Sequence, residues 1–277
     1  MTGGRSSMSV RRIRSGVAQS QLFVMDRWRL GAERRRFSTM SEHLRNRVSV
    51  PIATYDRIEV LVERTLPALL GQTHRDVEII VVGDGTPPGL FGLLDRVDDP
   101  RVRTVLLPSR TAYPSDPLER WMVAGWRPRN VGADLATGGW LLWMSDDDVI
   151  LPSGIATLLK AAHRAPEADV VSAGFEVQGE QTRVDLPSAA ETGLPFPIAG
   201  MPALMARSYT RAFRWNRRSY LRSVHRPSDY DLLLRMHLAG LTFTSVDEIV
   251  AVVPMVPGTG AVGSRAFIEE ERRRSRD

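Results

Sequence analysis

The sequence predicts an α/β fold built on a mostly parallel sheet, and three observations carry that reading. Two apolar runs, Val48 to Ala53 and Val77 to Val82, flank a segment with helical spacing. Two strands separated by a helix make a βαβ unit and hence a parallel sheet. The third observation is a short apolar run, Trp140 to Met144, that stops abruptly at three carboxylates, Asp146, Asp147 and Asp148. Neighbouring like charges repel, so a strand end carries them where something compensates. A hard divalent cation does so, because Mg²⁺ and Mn²⁺ prefer oxygen ligands and bridge a carboxylate or two to a substrate's phosphates. Ligands of open α/β sheets also sit just beyond the carboxyl ends of the strands. For an isolated triplet the alternative is an acidic turn with Asp148 near a helix start.

At 277 residues and 43% hydrophobic content, the chain can bury one large α/β core or two modest ones. With no cysteine, disulfides, thiolate metal sites and cysteine nucleophiles are excluded. No apolar run approaches the roughly 18 residues that span a membrane, and no signal-peptide core is present, so the expectation is a cytoplasmic protein. The net charge of +5 is unevenly placed. Residues 1–47 hold 11 arginines against Asp26, Glu33 and Glu42, and the remainder is net acidic. The body of the chain is therefore not a nucleic-acid surface.

Taken in order, residues 1–47 are Arg- and Ser-rich with little apolar periodicity, and are expected to be a disordered extension. Such an arm is a candidate for peripheral membrane contact, and it could also lie upstream of a start at Met25 or Met40. The first strand carries Pro51, which cannot donate to a ladder. Asp56 and Glu59 give a capping-box signal for the next helix, with Ile58, Leu61, Val62, Leu66, Leu69 and Leu70 at helical spacing. Pro67 is expected to kink or shorten that helix. Arg101 to Leu107 reads as a third strand. A long loop, Pro108 to Pro128, carries Tyr113, Trp121 and Trp126, and loops of that length are commonly functional. Arg129 to Thr137 reads as a short helix closed by Gly138 and Gly139. Ser153 is the expected cap of a helix with Ile155, Leu158, Leu159 and Ala162 on one face. Val170 to Val177 is a strand, and residues 178–226 give no clear pattern. Asp229 to Leu238 reads as a helix with Leu232, Leu233 and Met236 inward. Leu241 to Val246 and Ile249 to Val253 are late strands, and residues 263–277 form a charged tail.

These motifs together resemble the family 2 glycosyltransferases. The likeness covers about Val48 to Val253. It rests on Ala53-Thr54-Tyr55-Asp56-Arg57 after the first strand and Gly83-Asp84-Gly85-Thr86 after the second. It continues with Arg129-Asn130-Val131-Gly132 running through Ala136 to Gly138, and Ser145-Asp146-Asp147-Asp148 running through Pro152. It closes with Ser228-Asp229-Tyr230-Asp231-Leu232. The resemblance implies a GT-A, Rossmann-like three-layer sandwich over residues 48–262. It also implies a nucleotide-diphosphate sugar donor and a divalent metal, Mn²⁺ or Mg²⁺, with a glycan, lipid or small-molecule acceptor.

Site roles follow from the same resemblance. Ala53, Thr54, Tyr55 and Asp84 would line the nucleoside pocket, with Asp84 accepting a bond from an imide N–H. Arg129 would meet phosphate or base, and Asp146 the ribose or the ion. Asp147 would bind the metal, with Asp148 beside it, and His225 is a candidate third ligand. Asp229 would be the general base in a single displacement with inversion; its alternative role is a helix cap. Three carboxylates of the family pattern are missing, replaced by Gly83, Ser145 and Ser228. Those losses motivate a second reading, a nucleotide-sugar-binding module without turnover. A third, a sugar-phosphate nucleotidyltransferase, needs a Gly-rich loop after the first strand, and Ala53-Thr54-Tyr55-Asp56 has none.

Overall fold

A computed structural model describes residues 24–177, 183–184, 201–219 and 228–253. A single twisted sheet runs through them in the order β3-β2-β1-β4-β9-β7-β10-β6. Its strands are β1 Val48–Thr54, β2 Val77–Gly83, β3 Val102–Leu106, β4 Trp140–Leu142 and β5 Met144–Ser145. They continue with β6 Val149–Ile150, β7 Val170–Val177, β8 Arg183–Val184, β9 Leu204–Arg207 and β10 Phe243–Val253. Strand β1 pairs parallel with β2, β4 and β5, β2 with β3, and β7 with β10. Strand β9 is inserted antiparallel between β4 and β7. The sheet is therefore mostly parallel, and the ends of β1, β2 and β5 open on one rim.

Helices cover both faces and complete three layers. On one face Ile58, Leu61, Leu66 and Leu69 of one helix and Ile155, Leu158 and Leu159 of another pack on Val48, Val50, Ile52, Ile79 and Val81. On the other, Ala133, Leu232, Leu233 and Met236 pack on Ile80, Val82 and Leu141. The alternation along β2 sends Ile79 and Val81 one way and Ile80 and Val82 the other, as a sheet buried on both sides requires. Each fully buried Val, Leu or Ile contributes about 1.5–3 kcal/mol.

Pro51 sits in a central strand without breaking it. On one side β1 pairs with β2 through Pro51 itself, opposite Ile80. On the other side the ladder is interrupted: β1 meets β4 at Val48 and Ser49 and β5 at Ile52 and Ala53. The missing donor falls in that gap.

The helix after β1 runs in three sections, Ile58–Val60, Leu61–Thr65 and Leu66–Leu70, the middle one a π-turn. Pro67 is accommodated at the start of the last section instead of ending the helix. Neither expected cap forms: Arg57 occupies the N-cap here and Ser153 the N-cap of Gly154–Arg164, both without a side-chain bond. Gly138 and Gly139 are not a left-handed helix cap. A Cβ on Gly139 would lie 2.3 Å from the Arg45 carbonyl oxygen, so close backbone approach is what requires glycine. The long loop contains a helix, Pro117–Met122, capped by the Asp116 carboxylate on the Glu119 N–H (2.9 Å), and the next helix begins at Trp126. The two late strands are one, β10, with register shifts at Ile249.

The largest difference concerns the expected extension. Residues 24–38 form a helix, and Leu30 joins the core. Arg235 donates to the buried Asp26 (2.7 Å), Glu33 faces Arg211 (3.6 Å) and Phe37 meets the Tyr209 ring edge-on at 5.1 Å. Burial outweighs the pull of Arg235 and raises the Asp26 carboxyl above its ordinary value. The inward positions 26, 30, 33 and 37 do keep helical spacing. Two are acidic, with partners some 180 to 210 residues away, so no apolar period marks them.

Candidate active site

Three neighbouring strand ends build the rim: Thr54 lies beside Gly83 across the β1–β2 pair, and Ala53 lies beside Ser145 across β1–β5. Beyond Ser145 the chain turns through the Asp triplet. The turn is tied from within and from below. The Ser145 N–H donates to Asp148 Oδ2 (2.8 Å), and the Thr65 hydroxyl, at the end of the π-turn, donates to the carbonyls of Asp148 (2.9 Å) and Asp146 (3.1 Å). Just beyond the end of the same helix Gln72 donates to Leu151 (2.7 Å) and accepts from the Ile155 N–H (3.1 Å). The three acids are thus fixed by one helix.

Arg57 compensates the triplet in this structure. Its Nη1 donates to Asp147 Oδ2 and stands 3.7 Å from Asp146 Oδ1. A single cationic nitrogen facing two hard carboxylate oxygens marks a position that suits a divalent ion also shared with phosphates. The residues present fit such an ion, although among the described residues no cluster of three or more metal-ligating side chains forms. Asp148 is buried and turned inward on Ser145, so Asp146 and Asp147 are the better placed pair. Burial and the adjacent Asp147 push Asp146 up to about 6 and Asp148 up to about 7. His225 lies outside the described residues.

Asp84 is buried at the end of β2, and both of its oxygens are engaged by the loop after β3. Thr111 donates its N–H (3.0 Å) and hydroxyl (2.5 Å) to Oδ1, and Tyr113 donates its hydroxyl to Oδ2 (2.5 Å). Gly85 makes this closeness possible: its φ is +66°, and a Cβ there would lie 2.1 Å from the Arg110 nitrogen. The Arg110 guanidinium lies 3.4 Å from the centre of the Tyr55 ring. Gly83 has a packing cause as well, since a Cβ would meet Phe91 Cε2 at 2.6 Å. The missing acid of the family pattern is displaced by that phenyl ring.

Arg129 reaches into the same rim from the helix Trp126–Leu135. It donates to the Ala124 carbonyl (2.7 Å), comes within 3.5 Å of the Ser145 hydroxyl and lies 4.7 Å from the Trp215 ring centre. Asn130 positions that ring by bonding both backbone groups of Trp215 (2.8 and 2.9 Å). The charge of Arg129 acts on Asp229, Asp148 and Asp146 together. Asp229 opens the helix Ser228–Leu238 and accepts the Tyr230 N–H (2.8 Å); burial raises its carboxyl. The structure therefore brings Ala53, Thr54, Tyr55, Asp84, Arg129, Asp146, Asp147, Asp148 and Asp229 around one region. Trp126 packs into the core, and Trp121 is half-buried. Sequence reasoning gave no role to Arg57, Arg110, Thr111 or Trp215. Arg57 alone had a signal, its place in the motif after β1. A separate hollow of about 450 Å³ lined by Asn46, His74, Lys160, His163 and Arg164 shares no residue with the rim.

No family model matches the chain. It is 26% identical over 119 residues to a GalNAc(5)-diNAcBac-PP-undecaprenol β-1,3-glucosyltransferase of Campylobacter jejuni, which covers 42% of this chain and 35% of that relative. The chain thus spans about a third of the length of that relative. Among solved structures it superposes on S. aureus TarS 1–349 with UDP-GlcNAc with a TM-score of 0.56 at 14% identity, over 76% of this chain and 59% of that one. The mannosyltransferase PcManGT of Pyrobaculum calidifontis with GDP-Man and Mn²⁺ gives a TM-score of 0.56 at 16% identity, over 93% and 71%. The chain resembles glycosyltransferases in sequence and has their mostly parallel α/β architecture, the fold that the resemblance to family 2 implies.

Proposed function

We propose that this protein transfers a sugar from a nucleotide-diphosphate donor to an acceptor hydroxyl by a single displacement with inversion. The observation carrying the proposal is the gathering of Arg129, the Asp triplet and Asp229 at the rim where β1, β2 and β5 end. The relatives add support, since TarS is seen with UDP-GlcNAc and PcManGT with GDP-Man and Mn²⁺.

In this reading the nucleoside lies against Thr54, Tyr55 and the Asp84 wall, and Arg129 meets the diphosphate. Asp146 and Asp147 would hold Mn²⁺ or Mg²⁺, which when bound neutralises charge on the leaving diphosphate. The Asp229 carboxylate takes the proton of the acceptor hydroxyl. The acceptor oxygen then bonds to the anomeric carbon while the bond from that carbon to the diphosphate oxygen breaks, releasing nucleoside diphosphate. Burial suits Asp229 to this role by raising its basicity above that of an ordinary carboxylate. Three nearby acids also keep the Arg129 charge directed at the site.

Thermal shifts with UDP, GDP, TDP, ADP and CDP, each with and without Mn²⁺, test the donor site. Ligand that binds only the folded state raises Tm by mass action. One nucleotide that shifts Tm with Mn²⁺, and fails to in Asp147→Ala, is the expected result. No shift from any nucleotide at saturation would remove the donor site and the proposal with it.

A further inference from the structure

The helix over residues 24–38 has a second face. Its inward side, at 26, 30, 33 and 37, is taken up by Arg235, the core, Arg211 and Tyr209. At about 100° per residue, positions 24, 28, 31 and 35 fall on the opposite side. There Val24 is 67% exposed and Trp28 71%, with Met25 at 44% on the flank. These are three of the five large hydrophobic residues that are exposed among the described residues, and they occupy one and a half turns. Arg35 continues the stripe. Exposed Arg36 borders it on one side and exposed Arg27 and Arg34 on the other, Arg34 leaning toward Asp169 (3.5 Å) and the Tyr209 ring (5.3 Å). No acid of the helix itself lies on this face: Asp26 and Glu33 are both on the inward side. Residues 1–23 add Arg5, Arg11, Arg12 and Arg14 and no acidic residue.

We infer that this face docks the protein on an anionic phospholipid surface, with Trp28, Val24 and Met25 entering the interfacial layer and the arginines meeting lipid phosphates. An amphipathic helix with an apolar stripe and a basic border lies in the plane of such a surface. Arginines pair with phosphate bidentately while their stems stay along apolar material. A second copy of the same face would bring arginine against arginine, so self-association does not fit the charge pattern. Among the described residues no helix is long and apolar enough to cross a membrane. The contact is one of surface, and it is independent of the nucleotide site.

The test is cosedimentation of the full chain with phosphatidylcholine vesicles with and without phosphatidylglycerol. Wild type should bind the anionic vesicles, lose most binding at about 0.5 M salt as charges are screened, and bind neutral vesicles weakly. Trp28→Ser and the pair Arg35→Glu/Arg36→Glu should each lower the partition constant about tenfold or more. All of these side chains are exposed, so the circular dichroism and Tm of the variants should match wild type, and Asp147→Ala should bind vesicles normally. Equal binding to neutral and anionic vesicles would overturn the inference. So would unchanged binding in both variants, or a Trp28-dependent dimer in sedimentation velocity that does not bind lipid.

Discussion

Arg57 and Asp147 form an ion pair at the centre of the acidic turn, and the same Arg57 nitrogen faces Asp146 across 3.7 Å. The charges of Asp146 and Asp147 are thereby partly offset by the chain's own cation. A divalent ion and Arg57 would compete for these oxygens. Arg57→Gln is expected to cost about 1–2 kcal/mol of stability without metal, and to respond to Mn²⁺ with a larger rise in Tm than wild type. Titrating Mn²⁺ against Tm in both proteins checks this; a smaller response in the variant would mean that Arg57 holds the turn open for the ion.

Asp229→Asn keeps the shape of the side chain and removes the base. Sugar transfer should fall by about 10²–10⁴-fold, while the nucleotide-induced shift in Tm stays at the wild-type value. Loss of nucleotide binding along with activity would point to a structural role at the start of its helix.

The acidic turn should make the metal-free protein less stable as pH rises. Asp146 near 6 and Asp148 near 7 lie above the unfolded carboxylate value of 3.8, so both bind protons more tightly in the folded state. Stability from these two groups is full below about pH 4 and is lost as pH climbs through 6 and 7. Tm measured in chelator should decline over that window. Asp148→Asn, whose amide oxygen can still accept the Ser145 N–H, should flatten the decline.

Buried Arg235 holds two carboxylates, Asp26 (2.7 Å) and Asp231 (3.0 Å), and removing Asp26 leaves it with one. Asp26→Ala should destabilise the fold by about 1.5–3 kcal/mol, whereas the triple variant Asp26→Leu/Asp231→Leu/Arg235→Met, which removes the whole buried charge cluster, should lie closer to wild type. Denaturant unfolding of the three proteins measures both. Equal losses in the single and the triple variant would show that packing, not charge, docks the helix.

Much of the architecture was legible because apolar runs fix strands whatever their partners are. Val48 to Ala53, Val77 to Val82 and Val170 to Val177 needed only their own residues. Helix Ser228–Leu238 was equally plain from Leu232, Leu233 and Met236. The helix over 24–38 was not, because its inward residues include Asp26 and Glu33, meaningful only beside Arg235 and Arg211. Strand β9 was lost for a similar reason: Leu204–Arg207 is four residues long and becomes a strand through β4 and β7 on either side. At the site, motif positions marked the acids and Arg129. The residues that hold them are less visible. Thr111 and Tyr113 bond Asp84 across 27 and 29 positions, and Thr65 reaches the triplet across 81 and 83. Such partners carry no local pattern.

The π-turn at Leu61–Thr65 absorbs one residue of the helix locally. A wide turn fits one more residue into the helix than ordinary winding would, and the surplus is what aims Thr65 at the carbonyls of the acidic turn. Deleting one residue between 61 and 65 would let the helix rewind regularly, and because the wide turn absorbs that residue, the segments on either side would keep nearly the same phase. Such a one-residue deletion would leave Arg57 and Gln72 in place and take away only the turn that presents Thr65 to the carbonyls of Asp146 and Asp148. Relatives that keep the same acids but lack the extra residue would have to secure them by some other means.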